Sequence, residues 1–82
     1  MAEIDKRKDV NPKEGKKKYG DVTFADSKNN KYPIDTDEHI RAAWRYINHK
    51  DNADKYDRDE VKTIKSRIKR AAKKHGVEIS TD

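Results

Sequence analysis

Residues 61–77 read VKTIKSRIKRAAKKHGV, the most regular pattern in the chain. Apolar side chains recur every three or four residues, which is the spacing of one face of an α-helix. Residues 57–60 read DRDE ahead of this pattern and can cap the start of a helix, and Gly76 can end it. We therefore predict a helix over residues 58–75. Its apolar stripe consists of Val61, Ile64, Ile68, Ala71, Ala72 and the aliphatic part of His75.

The same stretch contains seven Lys or Arg residues and no acid. Like charges at i, i+4 spacing destabilise a helix by roughly 0.2–0.5 kcal/mol per pair. An anionic partner, or acids from elsewhere in the fold, would relieve that repulsion, so the helix is a candidate binding surface. A solvated helix face explains the pattern equally well, because exposed lysine-rich faces are common. The candidate binding residues here are Lys62, Lys65, Lys69, Arg70, Lys73 and Lys74.

A second amphipathic segment precedes this helix. Its apolar residues Ile40, Ala43, Trp44 and Ile47 follow i, i+3, i+4, i+7 spacing, and residues 35–38 read DTDE, a capping pattern. We predict a helix over residues 36–48, antiparallel to the one over 58–75. The connection over residues 49–56 is expected to be too short for another element.

Two short β-prone runs lie upstream, at residues 22–25 and 31–34, around the turn-forming sequence DSKNN. Pro33 lacks an N–H and confines its strand to an edge. The β element should span residues 21–34. The expected fold is a single small α+β domain over residues 19–79, a short hairpin followed by two antiparallel helices, with a frayed tail over residues 80–82.

The first eighteen residues hold few apolar side chains and carry a net charge of +3. We expect them to form a flexible basic arm, because they cannot bury enough surface to become ordered. The lysines Lys16, Lys17 and Lys18 could add electrostatic contacts to nucleic acid, although solubility alone would also explain such an arm. Residues 19–57 carry −2 and residues 58–82 carry +4, so a mildly acidic middle lies between two basic ends.

Composition limits the classes of function. The chain has 82 residues, of which 30% are hydrophobic and 45% charged, so we predict no enclosed substrate cavity and no small-molecule substrate. Cysteine is absent, which excludes disulfides and thiolate metal sites. No segment has the roughly 20 apolar residues of a membrane span, and the start lacks a secretory signal. We expect a soluble monomer in the cytoplasm of a bacterial cell, with no membrane partner.

Catalytic chemistry finds little support in the sequence. The histidines His39, His49 and His75 lack metal-ligand spacing, and His75 suits a helix C-terminus on dipole grounds. The acids do not follow the pattern of a calcium loop, and no glycine-rich phosphate loop is present. We predict no enzyme, no cofactor and no metal site.

Two aromatic residues of the first helix have different expected roles. Trp44 lies within the apolar stripe and should be a central packing residue. Tyr46 lies off that stripe near Arg41 and Arg45, which makes it the best candidate for stacking on an unpaired base. Packing at the rim of the core is the alternative role for this tyrosine.

The segments FADSKNNKYPIDTDEHIRAAWRYIN and IKSRIKRAAKKHGVEI lie within residues 19–79. Together they resemble a small family of uncharacterised domains found in phage, prophage and bacterial proteins. The resemblance implies a hairpin-like entry followed by two helices. It supplies no catalytic residues, does not include the lysine-rich arm, and favours a factor that binds host machinery or nucleic acid.

From these observations we predict a non-enzymatic binding module encoded by a phage or prophage. Its basic helix would bind DNA or RNA through phosphate contacts, without base-specific readout. The alternative is a protein-interaction factor that docks the same helix on an acidic surface of a host or phage protein.

Overall fold

A computed structural model of the protein describes residues 4–79. The chain forms an α+β fold, and none of the helices in the described part is long and apolar enough to cross a membrane. The elements in chain order are α1 (Pro12–Tyr19), β1 (Phe24–Asp26), β2 (Lys31–Pro33), α2 (Asp37–Ile47), α3 (Lys50–Ala53) and α4 (Arg58–His75).

Helices α2 and α4 form the centre of the molecule. They run antiparallel, since Asp37 at the start of α2 contacts His75 at the end of α4, with 3.2 Å between the Oδ1 and Nδ1 atoms. The isoleucines of the two predicted stripes meet between the helices and are fully buried, and Trp44 is 8% exposed. The expected helix pair and the core role of Trp44 are therefore confirmed. The fully buried isoleucines are Ile40, Ile47, Ile64 and Ile68.

The helix ends follow from local chemistry. Asp57 and Glu60 form a reciprocal capping box at the start of α4, and Gly76 ends that helix in the left-handed conformation at φ 71°. At the start of α2 the cap is Thr36, whose hydroxyl accepts a 3.1 Å hydrogen bond from the backbone N–H of His39. Asp35, the first residue of the DTDE capping pattern, does not cap the helix. Its Oδ1 atom lies 2.6 Å from the Nδ1 atom of His39.

The hairpin is a two-stranded antiparallel sheet in which Phe24 pairs with Pro33 and Asp26 with Lys31. Its turn is organised by the Asp26 carboxylate, which accepts hydrogen bonds from the backbone N–H groups of Lys28 and Asn29. Both strands are edges, so the missing N–H of Pro33 interrupts no central ladder. No further strand is present within residues 4–79, so Val77–Ile79 does not extend this sheet.

The N-terminal segment differs from the flexible arm expected over residues 1–18. Ile4 is buried in the core, and residues 12–19 form helix α1, capped by the Asn11 side chain. The backbone N–H of Asp5 donates to Glu60 Oε2 at 2.7 Å, and that of Arg7 donates to Asn29 Oδ1 at 2.6 Å. The segment is therefore ordered mainly by hydrogen bonds to side-chain acceptors elsewhere in the domain, and not by burial of a large apolar surface. Residues 1–3 and the tail predicted at 80–82 lie outside the described residues.

Helix α1 approaches the hairpin turn closely at Gly15. A Cβ atom added there would lie 2.1 Å from the carbonyl oxygen of Asn30, so only glycine fits without movement of the chain. The Asn30 side chain donates a 2.9 Å hydrogen bond to the carbonyl oxygen of Pro12. Asn30 itself has φ 52°, a left-handed conformation that asparagine tolerates. These contacts dock α1 on the turn.

The connection between α2 and α4 contains a short element that the sequence analysis did not predict. Residues Lys50–Ala53 form the single-turn helix α3. The side chain of Asn52 donates a 2.9 Å hydrogen bond to the carbonyl oxygen of Tyr46, which satisfies a backbone group at the end of α2. Residues 49–56, which were expected to be a simple connection, therefore contain a helical turn that bonds to the end of α2.

Candidate nucleic-acid interface

The basic residues of α4 fall on two sides of the helix. The Nζ atoms of Lys65 and Lys69 lie 5.9 Å and 5.6 Å from the centroid of the Trp44 ring, so these lysines face α2. Lys62 and Lys73 lie one turn before and one turn after them, on the same edge. Four of the six cations predicted as binding residues on α4 therefore share this edge.

The other side of α4 faces the hairpin. Arg67 donates a 2.8 Å hydrogen bond from Nη1 to the carbonyl oxygen of Ala25, which makes it a structural contact between α4 and β1. Lys74 follows at i+7 from Arg67 and is exposed on that side, away from Lys65 and Lys69. Arg70 is three residues after Arg67 and three before Lys73, so it lies between the two groups.

Helix α2 extends the first group of charges. Arg41 lies one turn before Trp44 and one turn after Asp37, which contacts α4, so it shares the edge of α2 that borders α4. It is exposed, as are three of the four lysines, with Lys65 half-buried. We call this group the basic edge: Arg41, Lys62, Lys65, Lys69 and Lys73.

The charges of the basic edge are not neutralised within the described part of the chain. None of its five residues forms an ion pair with a carboxylate among residues 4–79; the ion pairs found there join Arg7 and Lys55 to Asp9, and two histidines to aspartates. Burial of Trp44 beneath two ammonium groups gives a weak cation–π attraction. The lysines of the basic edge therefore still repel one another, and a bound anion would reduce that repulsion.

Tyr46 lies across α2 from the basic edge. It is 53% exposed, the highest exposure of any large hydrophobic side chain in residues 4–79. The Arg45 guanidinium carbon lies 5.7 Å from its ring centroid. The predicted pair of Arg45 and Tyr46 is therefore in contact, and rim packing does not bury the ring.

An open groove of about 660 Å³ lies beside Tyr46, between the N-terminal segment, the hairpin and α2. Its wall includes Tyr19, whose ring lies edge-on to the His39 ring at 5.3 Å. The sequence analysis did not anticipate this groove, because its first wall belongs to the segment that was expected to be unordered.

The lysines of the expected arm are carried by an ordered helix. Lys16, Lys17 and Lys18 form the exposed last turn of α1, where they suit the helix dipole. The Nζ atom of Lys18 lies 5.3 Å from the centroid of the Tyr19 ring, and Lys18 also lines the groove. Of the three, only Lys18 therefore borders the groove.

A buried polar network supports the groove from beneath. Asp26 and Asn29 are fully buried, and Asp26 Oδ2 accepts hydrogen bonds from the Tyr56 hydroxyl at 2.7 Å and from Asn29 Nδ2 at 2.8 Å. Arg7 donates from Nη1 to the same hydroxyl at 3.1 Å. Burial, together with the hydrogen bond to Asp26, raises the pKa of Tyr56 far above its ordinary value of 10.0. The network ties the N-terminal segment to the hairpin and to Tyr56, two residues before α4.

Arg7 also reaches the surface at this point. Its Nε and Nη2 atoms donate to the two carboxylate oxygens of Asp9 at 3.0 Å and 2.6 Å, a bidentate pair. This pairing holds the pKa of Asp9 well below its usual range. The carboxylate of Asp9 is therefore already engaged by a cation at the rim of the groove.

The histidines have pairwise contacts in the described structure. His39 contacts Asp35, and His75 contacts Asp37. Within residues 4–79 no group of three or more His, Asp or Glu side chains has a geometry that could hold a metal ion. Both aspartates lie at the start of α2, where an acid suits the helix dipole, and His75 lies in the last turn of α4.

Comparison with known proteins identifies the family but no characterised relative. No curated protein and no solved structure matches the chain. A family model matches residues 1–82, and therefore includes the lysine-rich segment that the resemblance in the sequence had left out. The chain belongs to a family of unknown function, DUF6582.

Proposed function

We propose that the protein is a non-enzymatic module that binds nucleic acid through the basic edge. One observation carries this proposal: two lysines of α4 lie over the Trp44 ring, and none of the five residues of the basic edge has a carboxylate partner among the described residues. Phosphate oxygens would supply the missing negative charge. The helices α2 and α4 would present these cations on a rigid surface.

The geometry favours contacts with the sugar–phosphate backbone over reading of base edges. Lysine is a flexible point charge that suits phosphates, and bidentate readout of bases uses Arg, Asn or Gln. The lysines are spread along α4 from Lys62 to Lys73, about 16 Å at 1.5 Å rise per residue. Such a row can follow several phosphates of one strand, and its binding should depend on salt and little on sequence.

A protein partner is the second candidate function, and one feature favours it. A shallow hollow lies at the end of the basic edge, where Ala72, Val77 and Ile79 provide apolar lining beside Lys69 and Lys73. An acidic protein surface could pair with the lysines and place an apolar anchor in this hollow. We further propose an origin in a phage or prophage, a proposal that rests on the sequence resemblance alone.

The test compares the affinity of two variants for a generic DNA duplex. Replacing Lys65, Lys69 and Lys73 by Gln should lower the affinity at low salt by at least about tenfold and should reduce the salt slope by about two to three. The matched control replaces three exposed lysines that belong neither to the basic edge nor to the groove, Lys8, Lys13 and Lys28, and keeps the net charge equal. Equal loss in both variants would show that only total charge matters and would reject the basic edge as the binding surface.

A further inference from the structure

The groove beside Tyr46 combines an exposed aromatic ring with a surplus of positive charge. The charged residues that line it are four cations, Arg7, Lys18, Lys31 and Lys55, and two acids, Asp9 and Glu14. Asp9 is engaged by Arg7 at 2.6 Å and by Lys55 at 3.5 Å. Lys18 and Lys31 are exposed, and neither forms an ion pair within residues 4–79. The groove therefore presents cations that can meet an anion.

The size and the aromatic lining of the groove suit one nucleotide unit. A volume of about 660 Å³ lies within the range of ligand sites in proteins, roughly 300–1,000 Å³. Tyr46 is 53% exposed, and Tyr19, Tyr32 and His39 add aromatic surface to the same groove. Bases stack on such rings whatever their sequence, and cations beside the rings can contact the adjoining phosphates.

We infer that this groove binds an unpaired base of single-stranded nucleic acid, with Tyr46 as the stacking residue and Lys18 and Lys31 at the phosphates. This inference rests on the proposed function and names its substrate class. A base inside a duplex has both faces covered by its neighbours, so the groove can be filled only by an unstacked base. The basic edge lies across α2 from the groove and can contact either form of nucleic acid.

The fold keeps the groove open and its walls rigid. The Gly15 contact with Asn30 fixes α1 on the hairpin turn, and the Asn52 side chain fixes the backbone at Tyr46. Tyr32 enters the groove wall from a left-handed backbone conformation, φ 60°, with its ring 6.3 Å from that of Tyr56. The binding surface is therefore formed before any ligand arrives, which reduces the entropy lost on binding.

The experiment measures the affinity for a labelled oligo-thymidine single strand and for a generic DNA duplex by fluorescence anisotropy at low salt. The inference predicts that Tyr46→Ala weakens single-strand binding about tenfold and leaves duplex binding within about twofold. Tyr46→Phe keeps the stacking ring and should bind like the unchanged protein. Lys18→Gln should weaken single-strand binding about threefold, and Lys28→Gln, a lysine outside the groove, should not.

A second readout reports the stack directly. The ring protons of Tyr46 should shift upfield in NMR spectra when the oligo-thymidine binds. If Tyr46→Ala binds the single strand as tightly as the unchanged protein does, the inference is overturned. The proposed function still stands in that case if the unchanged protein binds the duplex. Absence of binding to both probes would reject the proposed function and the inference together. Equal binding of polyglutamate, with the same loss in Tyr46→Ala, would assign the groove to an acidic peptide and overturn the nucleic-acid assignment.

Discussion

The Nζ atom of Lys69 lies 5.6 Å from the centroid of the Trp44 ring. The tryptophan of the core therefore lies directly beneath the proposed binding surface, and Lys65 approaches the same ring at 5.9 Å. The position has two consequences. Substitution of these lysines changes both charge repulsion and contact with the ring, and Trp44 fluorescence should report ligands bound at the basic edge.

Replacing Lys65, Lys69 and Lys73 by Gln should lower the free energy of unfolding by no more than about 1.5 kcal/mol. Loss of the two weak cation–π contacts costs roughly 0.5–1 kcal/mol each at an exposed site, and relief of the two like-charge pairs returns roughly 0.2–0.5 kcal/mol each. Urea denaturation followed by Trp44 fluorescence measures the balance. Failure of this variant to fold would show that the lysine row is needed for the structure itself.

Replacing Gly15 by Ala tests whether α1 is docked. In an undocked helix this change would stabilise by about 1 kcal/mol, because alanine has the higher helix propensity. The docked helix has no room for a Cβ atom beside Asn30, and overpacking costs roughly 1–3 kcal/mol. We expect a lower free energy of unfolding for Gly15→Ala, with Lys17→Ala, on an exposed position of the same helix, as the control. A gain in stability for Gly15→Ala would contradict docking of α1 and would favour the flexible arm predicted from the sequence.

Replacing Tyr56 by Phe tests the buried network. The substitution removes the 2.7 Å hydrogen bond to the buried Asp26 carboxylate and the acceptor for Arg7 Nη1. Leaving buried polar groups with fewer partners should lower the free energy of unfolding by about 1–3 kcal/mol. Tyr46→Phe, at an exposed ring, should change it by less than about 0.5 kcal/mol. Chemical denaturation measures the free energy of unfolding of both variants and of the unchanged protein. Equal values for Tyr56→Phe and the unchanged protein would contradict a structural role for the network.

The same tyrosine predicts the alkaline limit of stability. Its pKa is raised in the folded protein, chiefly by burial, so the neutral phenol is favoured when folded. The stabilisation is complete below the unfolded pKa of about 10 and is lost as the pH rises above it. From about pH 10 to about pH 12, the free energy of unfolding should therefore fall more steeply in the unchanged protein than in Tyr56→Phe. Parallel pH profiles for the two proteins would contradict this expectation.

The helices α2 and α4 could be predicted because their stripes are regular and their caps are local. Ile40 and Trp44 in α2, like Ile64 and Ile68 in α4, lie four residues apart, and the Asp57–Glu60 box marks the start of α4. The buried turn residue Asp26 could be assigned to the hairpin, but its partner Tyr56 lies 30 residues away. Local patterns contain no sign of a contact at that distance along the chain.

The N-terminal segment escaped prediction for a related reason. One buried side chain, Ile4, and backbone hydrogen bonds to Glu60 and Asn29 hold it in place, and α1 has no buried residue. Hydrophobic periodicity cannot detect a segment that is ordered by distant side-chain acceptors. The Asn11 cap followed by Pro12 was the local signal for α1 that could have been used.

The candidate site was only partly predictable. Residue type identified the cations, but the fold divides them: Lys74 lies on the hairpin side of α4 with Arg67, Lys69 lies on the side of Trp44, and Arg70 lies between the two. The groove beside Tyr46 depends on the position of α1, which the sequence did not reveal. The charge of a segment can be read from its composition, whereas its neighbours depend on how the elements pack.

Backbone amide shifts in an NMR titration with a generic DNA duplex test the central claim most directly. The account predicts shifts that centre on Arg41 and on the Lys62–Lys73 edge of α4, accompany a change in Trp44 fluorescence, and weaken as salt rises from low to physiological concentration. Absence of shifts at low salt, or shifts centred on the Arg67 and Lys74 side of α4, would contradict it.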